Sequence, residues 1–294
     1  MSTTLEELEP VKNFFIGIDS DGCTFDTMEI KHKKCFCPVL IDQFDLHPIS
    51  EYVRETWEFV NLYSRFRGTN RFSGFVHTFD LLAERKEYIV SKVKLPELKR
   101  IRNWVSSESR LGNPSLKKVA EESNNTELAM LYEWSFKVNE SISKIVRNVP
   151  PFPYVKKSLE KINKYADAIV ISSANQESLN REWSENDIDQ YVRFIAGQEI
   201  GNKNNCFKQA SAGKYSPGKM LMIGDAPGDL RAARANNALF FPIVPGKEAD
   251  SWEYLYTLGL DRFLEGTYSG QFEEKLITDF FDHLPEQPPW DSRY

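Results

Sequence analysis

One stretch, residues 14–26, constrains the fold of this chain more than any other; it reads FFIGIDSDGCTFD. Its first five residues are apolar or glycine, and Asp19, Asp21 and Gly22 follow closely. A short apolar run that is stopped by Asp and Gly predicts a β-strand buried on both faces. In an extended backbone, residues two apart project to the same side, so the two carboxylates are expected to point together. Because like charges this close repel, either one carboxyl is protonated or a cation lies between them.

The composition is that of an ordinary globular protein, and it argues against several classes of partner. The 294 residues are 41% hydrophobic and 27% charged, which allows one large domain or two of moderate size. The formal net charge is -6 and no basic block is present, so we expect no nucleic-acid partner. The first ten residues are acidic and polar, unlike a signal peptide, and no apolar run approaches membrane-spanning length. We therefore expect no membrane partner.

The four cysteines do not have the spacing of a metal site. They are Cys23, Cys35, Cys37 and Cys206. The pair Cys35 and Cys37 has one residue between its members, which is not zinc-knuckle spacing, and no second pair follows. Reduced thiols are the better interpretation, and they predict a cytoplasmic location.

A long insert separates the first strand from the rest of the pattern. From about residue 28 to residue 148, apolar positions keep helical spacing and no alternating strand stands out. We predict helix starts from caps and first-turn prolines at Ser50, Pro96, Asn113–Pro114 and Thr126. The predicted domains are a core of residues 1–27 and 149–294 and an all-helical insert of residues 28–148.

Beyond the proline-rich break at residues 149–153, strands and helices alternate. The predicted strands are residues 168–171, 191–196, 220–223 and 239–244, and the predicted helices are residues 154–165, 176–185, 204–212 and 230–235. This alternation predicts an α/β fold with a doubly wound parallel, Rossmann-like sheet. Residues 251–294 are predicted to be helical with a proline-rich end, and no task is assigned to them.

Polar side chains follow the predicted strands, where parallel α/β sheets form their sites. They are Asp19 and Asp21 after the first strand, Ser172 and Ser173 after the second, Lys203 in the loop after the third, and Asp225 and Asp229 after the fourth. Several acids at one sheet edge call for a hard divalent cation, and Mg²⁺ suits carboxylate and carbonyl ligands. A hydroxyl and a lysine beside such a cation suit a phosphate oxygen.

Four motifs in this order resemble those of the haloacid dehalogenase-like (HAD) superfamily. Residues 19–26 are similar to its first motif, Ser172 to its second, Lys203 to its third and residues 224–229 to its fourth. The resemblance covers the alternating core, and the helical insert falls where this family places its C1-type cap. Such a cap is expected to close over the site and to choose the substrate.

The resemblance implies a role for each catalytic residue. Asp19 is the nucleophile that becomes an aspartyl phosphate, and Asp21 protonates the leaving oxygen and then activates water. Ser172 and Lys203 hold the phosphoryl group. Ser173 is a second hydroxyl at the same strand end and is kept as a substrate-binding candidate.

The resemblance also implies a Mg²⁺ site. The Asp19 carboxylate, the Asp21 backbone carbonyl and Asp225 hold the cation, and Asp229 supports it from behind. A calcium loop is the main rival interpretation of the first motif, but aligning Gly22 with the loop glycine puts Gly17 and Met28 at ligand positions. No cofactor other than the metal is expected.

Some assignments leave alternatives open. Lys208 and Lys214 compete with Lys203 for the third motif. A helix N-cap is an equally good role for either serine after the second strand, and Asn175 is another candidate cap. In the insert, Arg71 is the best candidate to bind a second anionic group of the substrate, although surface ion pairing is the commoner role of an arginine.

These observations predict a Mg²⁺-dependent phosphatase that acts on a small phosphorylated metabolite. The alternatives are a phosphomutase or phosphotransferase with the same nucleophile, and a catalytically silent binding protein on the same scaffold. Relatives that cleave carbon–halogen or carbon–phosphorus bonds lack an acid where Asp21 stands, which argues against both. The substrate and the oligomeric state are not predicted.

Overall fold

The computed structural model describes residues 4–290, which form two compact units. The core unit comprises residues 4–28 and 148–285, and the insert unit comprises residues 29–147 and 286–290. The predicted core domain runs to residue 294, whereas the compact core ends at Pro285 and the next residues group with the insert. The outermost parts of the predicted domains, residues 1–3 and 291–294, lie outside the described residues.

The core unit is built on a five-stranded sheet in which every strand pairing is parallel. The strands are β1 (Phe14–Ile18), β2 (Ala166–Ile171), β3 (Phe194–Ala196), β4 (Met220–Gly224) and β5 (Leu239–Pro242). Their order is β3-β2-β1-β4-β5, so β1 lies at the centre between β2 and β4. This architecture confirms the predicted α/β class and the parallel sheet.

Helices cover the sheet, and β1 is buried on both sides as its apolar run predicts. The core helices are α1 (Thr27–Lys31), α9 (Val155–Tyr165), α10 (Gln176–Glu185), α11 (Lys203–Ser211), α12 (Pro227–Ala235), α13 (Glu248–Tyr254), α14 (Leu260–Leu264) and α15 (Gln271–Asp282). The first of them, α1, contains the passage into the insert unit after Met28.

Ile16 and Ile18 of β1 join one apolar cluster, and Phe15 joins another. Alternate residues of β1 therefore serve two separate clusters.

The insert unit is helical within the described residues. Its helices are α2 (Cys37–Gln43), α3 (Ser50–Leu62), α4 (Arg71–Glu84), α5 (Lys86–Ser91), α6 (Lys99–Ser107), α7 (Asn113–Ser123) and α8 (Thr126–Ile145), with a π-helical turn at His32–Phe36. Trp57 and Trp134 are fully buried in its own apolar cluster. The insert therefore has a hydrophobic core separate from those of the sheet.

Two predicted caps and one predicted first-turn proline in the insert are wrong in detail. Ser50 and Asn113 are the first residues of their helices rather than caps, and Pro96 lies ahead of α6 in irregular chain. Pro114 lies in the first turn of α7 as predicted. Thr126 begins α8 as predicted, with the Asn125 side chain accepting a hydrogen bond from Leu128 N. A cap depends on where the backbone leaves the extended region, and residue type alone predicts that point only approximately.

Boundaries in the core differ from the predictions by a few residues. The third strand, predicted at residues 191–196, is shorter in the structure: Tyr191 ends a 3-10 turn, Asp189–Tyr191, and the strand β3 begins at Phe194. The helix predicted at residues 230–235 begins earlier, at Pro227, because proline suits the first turn of a helix.

Within residues 4–290, every helix is too short or too polar to span a lipid bilayer.

The C-terminal part of the core covers the open edge of the sheet. On the edge strand β5, the Phe240 amide donates to Glu273 Oε1 at 2.8 Å, and the Phe240 carbonyl accepts from the Tyr268 hydroxyl at 2.7 Å. Glu273 and Tyr268 are both buried. These side chains thus form hydrogen bonds with the backbone amide and carbonyl groups that a further strand would otherwise pair with.

Candidate active site

Three carboxylates meet where β1 and β4 end. Asp19 follows β1, Asp225 follows β4, and Asp229 lies in the first turn of α12. Each offers an oxygen atom, and these three atoms lie within 4.8 Å of one another. All three residues are buried, at 4%, 1% and 0% exposure. Because β1 and β4 are parallel neighbours, their carboxyl ends bring together residues about two hundred positions apart.

Lys203 lies between two of these carboxylates. Its Nζ is 2.6 Å from Asp19 Oδ2 and 2.6 Å from Asp229 Oδ1. Lys203 is the first residue of α11 rather than a loop residue, and Asn202 caps that helix by accepting from Asn205 N. The predicted lysine therefore lies at the acidic cluster. The helix that contains it begins at residue 203, one residue earlier than predicted.

The cluster is short of positive charge. The carboxylates of Asp19 and Asp229 share one ammonium group, so full ionisation leaves these three groups with one negative charge in excess. Burial raises the pKa of the Asp19 carboxyl well above its usual value, against the opposing effect of Lys203. Burial raises the pKa of Asp229 in the same way. Burial acts to lower the pKa of Lys203, but Asp19 and Asp229 outweigh it and raise that pKa above its usual range. The lysine is therefore charged, and the site has room electrostatically for a further cation.

The backbone around Asp229 is fitted to bring its carboxylate into the cluster. Asp229 Oδ2 accepts a hydrogen bond from Ala226 N at 3.0 Å, while Oδ1 accepts from Lys203. A Cβ atom added to Gly224 would collide with the Asp229 side chain. Glycine at this strand end therefore permits the close approach. Both Asp229 oxygens accept hydrogen bonds, which agrees with a supporting role.

Asp19 is held at both carboxylate oxygens. Oδ1 accepts from the Ser20 amide at 2.8 Å, and Oδ2 accepts from Lys203. The Asp19 amide donates to the Ile223 carbonyl at 3.0 Å, which ties the residue to the end of β4. The side chain is thus oriented by its own turn and by groups distant in the sequence.

Asp21 is only partly buried, unlike Asp19, and it has a partner that the sequence interpretation missed. The Thr27 hydroxyl donates a short hydrogen bond to Asp21 Oδ1, and Thr27 itself is fully buried. Gly22, which follows, has φ of 77° and so adopts a backbone conformation that favours glycine. A threonine directly after the first motif was the available signal in the sequence, but nothing in a linear pattern shows that its side chain turns back toward Asp21.

Ser172 and Ser173 stand at the end of β2, the other neighbour of β1. Ser172 is buried, and its Oγ accepts from Ala174 N at 3.2 Å, whereas Ser173 is exposed. Asn175 caps α10 by accepting from Ser178 N at 2.8 Å, so neither serine serves as that cap. Ser172 is thereby the serine with a fixed place at the sheet edge, and its contact with a phosphoryl group stays a prediction.

The other candidate cations lie elsewhere. Lys208 is exposed on α11. Lys214 donates to backbone carbonyls of the N-terminal segment, at 2.7 Å from Glu6 O and 2.9 Å from Leu8 O. Among the three lysines considered for this position, Lys203 is the one that contacts the acidic cluster.

Arg71 belongs to the insert unit. Its guanidinium donates to Asn139 Oδ1 at 2.7 Å and to Ser135 Oγ at 3.2 Å, and it lies over the Phe36 ring at 5.0 Å. Burial lowers the pKa of Arg71 to about 10. The arginine is held by neutral partners here, and its role as a substrate ligand stays a prediction.

The donor set of the cluster fits a hard divalent cation. Asp19, Asp225 and Asp229 supply carboxylate oxygens, which are the ligands that such ions prefer. Asp21 is not part of this side-chain group; the sequence assigned it a backbone carbonyl as ligand, and that ligand stays a prediction. The cluster as a whole is an acidic site that can hold a metal ion.

Comparison with known proteins relates the chain to one family. The family model described as "Haloacid dehalogenase-like hydrolase" matches residues 76–242, which is more than half of the chain. The match spans Ser172, Lys203, Asp225 and Asp229, and it begins inside the insert, downstream of Asp19. No curated protein matches the chain.

Several solved structures are similar to this chain at low sequence identity. A protein described as a haloacid dehalogenase-like hydrolase, from Bacteroides fragilis, has a TM-score of 0.50 and 13% identity, with 82% of this chain and 93% of that chain covered. A predicted phosphoglycolate phosphatase from Haemophilus somnus has a TM-score of 0.46 and 12% identity, with coverage of 79% and 86%. CbbY from Rhodobacter sphaeroides, in complex with phosphate, has a TM-score of 0.45 and 12% identity, with coverage of 85% and 100%. At 13% identity, the similarity to the Bacteroides fragilis protein concerns the fold alone.

Proposed function

This chain belongs to the haloacid dehalogenase-like hydrolases, and on that premise we propose that it is a Mg²⁺-dependent phosphatase of a small phosphorylated metabolite. The proposed reaction proceeds through an aspartyl phosphate on Asp19. Asp21 is the proposed proton donor and acceptor, and Ser172 and Lys203 are proposed to hold the phosphoryl group.

One observation carries the proposal: the Lys203 ammonium group lies 2.6 Å from Asp19 and 2.6 Å from Asp229 inside a buried acidic cluster. A structural ion pair needs one acid for one base, and here two carboxylates contact the same lysine and the carboxylate of Asp225 lies within 4.8 Å of them. Such an arrangement binds a divalent cation and a phosphate dianion together better than either alone, because each ion offsets the charge of the other. Phosphoryl transfer is the reaction that uses this combination.

In the first step, an Asp19 carboxylate oxygen attacks phosphorus. A bond forms between that oxygen and phosphorus as the ester bond to the leaving oxygen breaks, and Asp21 gives its proton to the leaving alcohol. The hydrogen bonds to Asp19 from Ser20 N and Lys203 hold the attacking group in one orientation. Lys203 balances the charge of the transferred phosphoryl oxygens.

In the second step, water attacks the phosphorus of the aspartyl phosphate. Asp21, now ionised, takes a proton from the water, and the bond between phosphorus and Asp19 breaks to release inorganic phosphate. The hydrogen bond from Thr27 keeps the Asp21 carboxyl in place for both proton transfers. Partial exposure of Asp21 suits a group that must reach both the leaving alcohol and water.

Asp19 and Asp225 would hold the metal ion with their carboxylates, and Asp229 would support it. When bound, the ion supplies Lewis-acid stabilisation of negative charge on the phosphoryl oxygens. The fit rests on the donor set: three buried carboxylates converge, and two of them, Asp19 and Asp229, share one ammonium group.

The function is tested by phosphate release from p-nitrophenyl phosphate and then from a panel of phosphorylated metabolites. We expect steady release with Mg²⁺ and loss of release when EDTA removes the ion. A phosphomutase would release little phosphate from its own substrate. Absence of release from every compound with Mg²⁺ present would favour a silent binding protein instead.

Asp19→Asn tests the nucleophile. The amide cannot form the acyl phosphate, so turnover should be abolished while the fold is retained. Asp187→Asn is the matched control, because Asp187 is exposed with φ of 52°, a conformation that asparagine tolerates. Full activity of the Asp19 variant would show that the nucleophile is assigned wrongly.

A further inference from the structure

The turn between the two aspartates is a compact hydrogen-bonded loop. The Ser20 carbonyl accepts from Thr24 N at 2.8 Å and from Phe25 N at 3.1 Å. The Thr24 hydroxyl donates back to the Asp19 carbonyl at 2.8 Å. These bonds close the loop on itself, but they do not attach it to the helices around it.

Two tryptophan side chains make that attachment. On α10, Trp183 Nε1 donates to Ser20 Oγ at 3.1 Å, and on α13, Trp252 Nε1 donates to the Cys23 carbonyl at 2.7 Å. Both indoles are fully buried at 0% exposure and join the same apolar cluster as Cys23 and Phe25. The Trp183 ring also packs edge-on against Phe25, with centroids 6.0 Å apart.

Each indole acts on a different part of the turn. Ser20, which Trp183 holds, is the residue whose amide donates to Asp19 Oδ1 at 2.8 Å. Trp252 holds the Cys23 carbonyl, one residue past Gly22, which has φ of 77° and directly follows Asp21. An indole has one donor and no acceptor, so each tryptophan supplies a single directed bond from a rigid ring.

We propose that Trp183 and Trp252 are positioning residues that hold the turn bearing Asp19 and Asp21 in its reactive geometry. Trp183 acts on Asp19 through Ser20, and Trp252 acts on the Asp21 side through Cys23. The effect on turnover rests on the proposed phosphatase function. Neither tryptophan touches the reacting atoms, so their contribution lies in kcat rather than in substrate binding.

Phenylalanine substitutions remove the N–H group together with part of the ring, and a control at a tryptophan whose N–H is unused reports the effect of the smaller ring. In Trp183→Phe and Trp252→Phe we expect kcat to fall about tenfold and KM to change less than about twofold, because misplaced reacting groups slow the chemical step. Trp104→Phe is the matched control: Trp104 is buried in the insert, and its Nε1 makes no hydrogen bond within the described structure. That variant should keep the wild-type kcat.

A double-mutant cycle tests whether Trp183 acts through the Ser20 hydroxyl. If it does, Trp183→Phe lowers kcat in the wild type but changes it less than about twofold in a Ser20→Ala background. A tenfold loss in both backgrounds would mean that the ring acts through packing alone, and the positioning role would be overturned.

Nuclear magnetic resonance gives a readout other than activity. The chain has six tryptophans, and the two phenylalanine variants assign the indole N–H signals of Trp183 and Trp252. Adding Mg²⁺ and inorganic phosphate should shift both signals and leave that of Trp104 in place. Unmoved signals together with unchanged kcat in the variants would overturn the proposal while leaving a working phosphatase. If the wild type releases no phosphate but both signals shift, the contact of the two tryptophans with the ligand-binding turn is upheld and the proposed phosphatase function is rejected.

Discussion

At the residue scale, the site is a set of opposed charges held in place by hydrogen bonds from the lysine and from backbone amides. Asp19 receives one bond from the Ser20 amide and one from Lys203, and Asp229 receives one from Ala226 N and one from Lys203. The cost of burying these carboxylates is visible in their raised pKa values, and the lysine offsets only part of it. The site therefore depends on each charged member.

Lys203→Met should expose that dependence. Two buried carboxylates lose their ammonium partner, so we expect the free energy of unfolding to fall by about 3 kcal/mol and kcat to fall at least about 100-fold. Denaturant unfolding and steady-state kinetics measure the two effects. Lys208→Met, an exposed change on the same helix, is the control. Adding Asp229→Asn should recover part of the lost stability, and a lysine variant as stable as wild type would contradict this account.

Thr27→Val tests the orientation of Asp21. The valine keeps the shape of the side chain but cannot donate to Asp21, so kcat should fall about tenfold while the fold persists. Thr78→Val is a matched control, since the Thr78 hydroxyl donates to the Gly74 carbonyl at 2.8 Å within a helix of the insert. Equal kcat in the two variants would argue against a role for Thr27 in proton transfer.

At the element scale, segments remote in the sequence stabilise the sheet through a few buried polar contacts. Tyr268 and Glu273 satisfy the Phe240 backbone at one edge. At the start of β2, Asp167 Oδ2 accepts from Val11 N at 2.8 Å and Lys12 N at 2.9 Å, which fastens the N-terminal segment. These contacts assign a structural task to residues for which the sequence pattern predicted none.

Tyr268→Phe should destabilise the core through that edge. The Phe240 carbonyl is buried and loses its donor, so we expect the free energy of unfolding to fall by about 1–3 kcal/mol, measured by denaturant titration. Tyr165→Phe, at a tyrosine that is 51% exposed, should change it by less than about 0.5 kcal/mol. If the two variants unfold alike, the edge contact contributes nothing to stability.

At the scale of the whole molecule, the two compact units each bury their own thiols. Burial raises the pKa of Cys37, in the insert unit, to about 12 and that of Cys206, in the core unit, to about 11. All four cysteines are free and buried. In the native state these thiols are therefore protonated at neutral pH and resist alkylation.

The raised thiol pKa values predict a loss of stability in alkali. Unfolded cysteine ionises at about pH 8.5, whereas the native thiols keep their protons to higher pH, so the unfolded state gains stability as the pH rises. The free energy of unfolding should fall between about pH 9 and pH 11, by up to about 1.4 kcal/mol per pH unit for each thiol. In Cys37→Ala and Cys206→Ala the slope against pH should be shallower than in the wild type. An unchanged slope in both would show that these thiols do not cause the loss.

Apolar periodicity and strand-stopping residues are local properties, so the linear pattern is enough to predict the strand at residues 14–18, the alternating core, the helical insert and the polar residues at the strand ends. The partners of those polar residues depend on the folded chain. Lys203 rather than Lys208 or Lys214 meets Asp19, and Trp183 meets Ser20 across 163 positions of sequence. These contacts follow from which strands are neighbours and how helices pack on them, and a linear pattern does not contain that information. The two aspartates of the first motif are thus recognisable in the sequence, but the groups that orient them are found only in the folded chain.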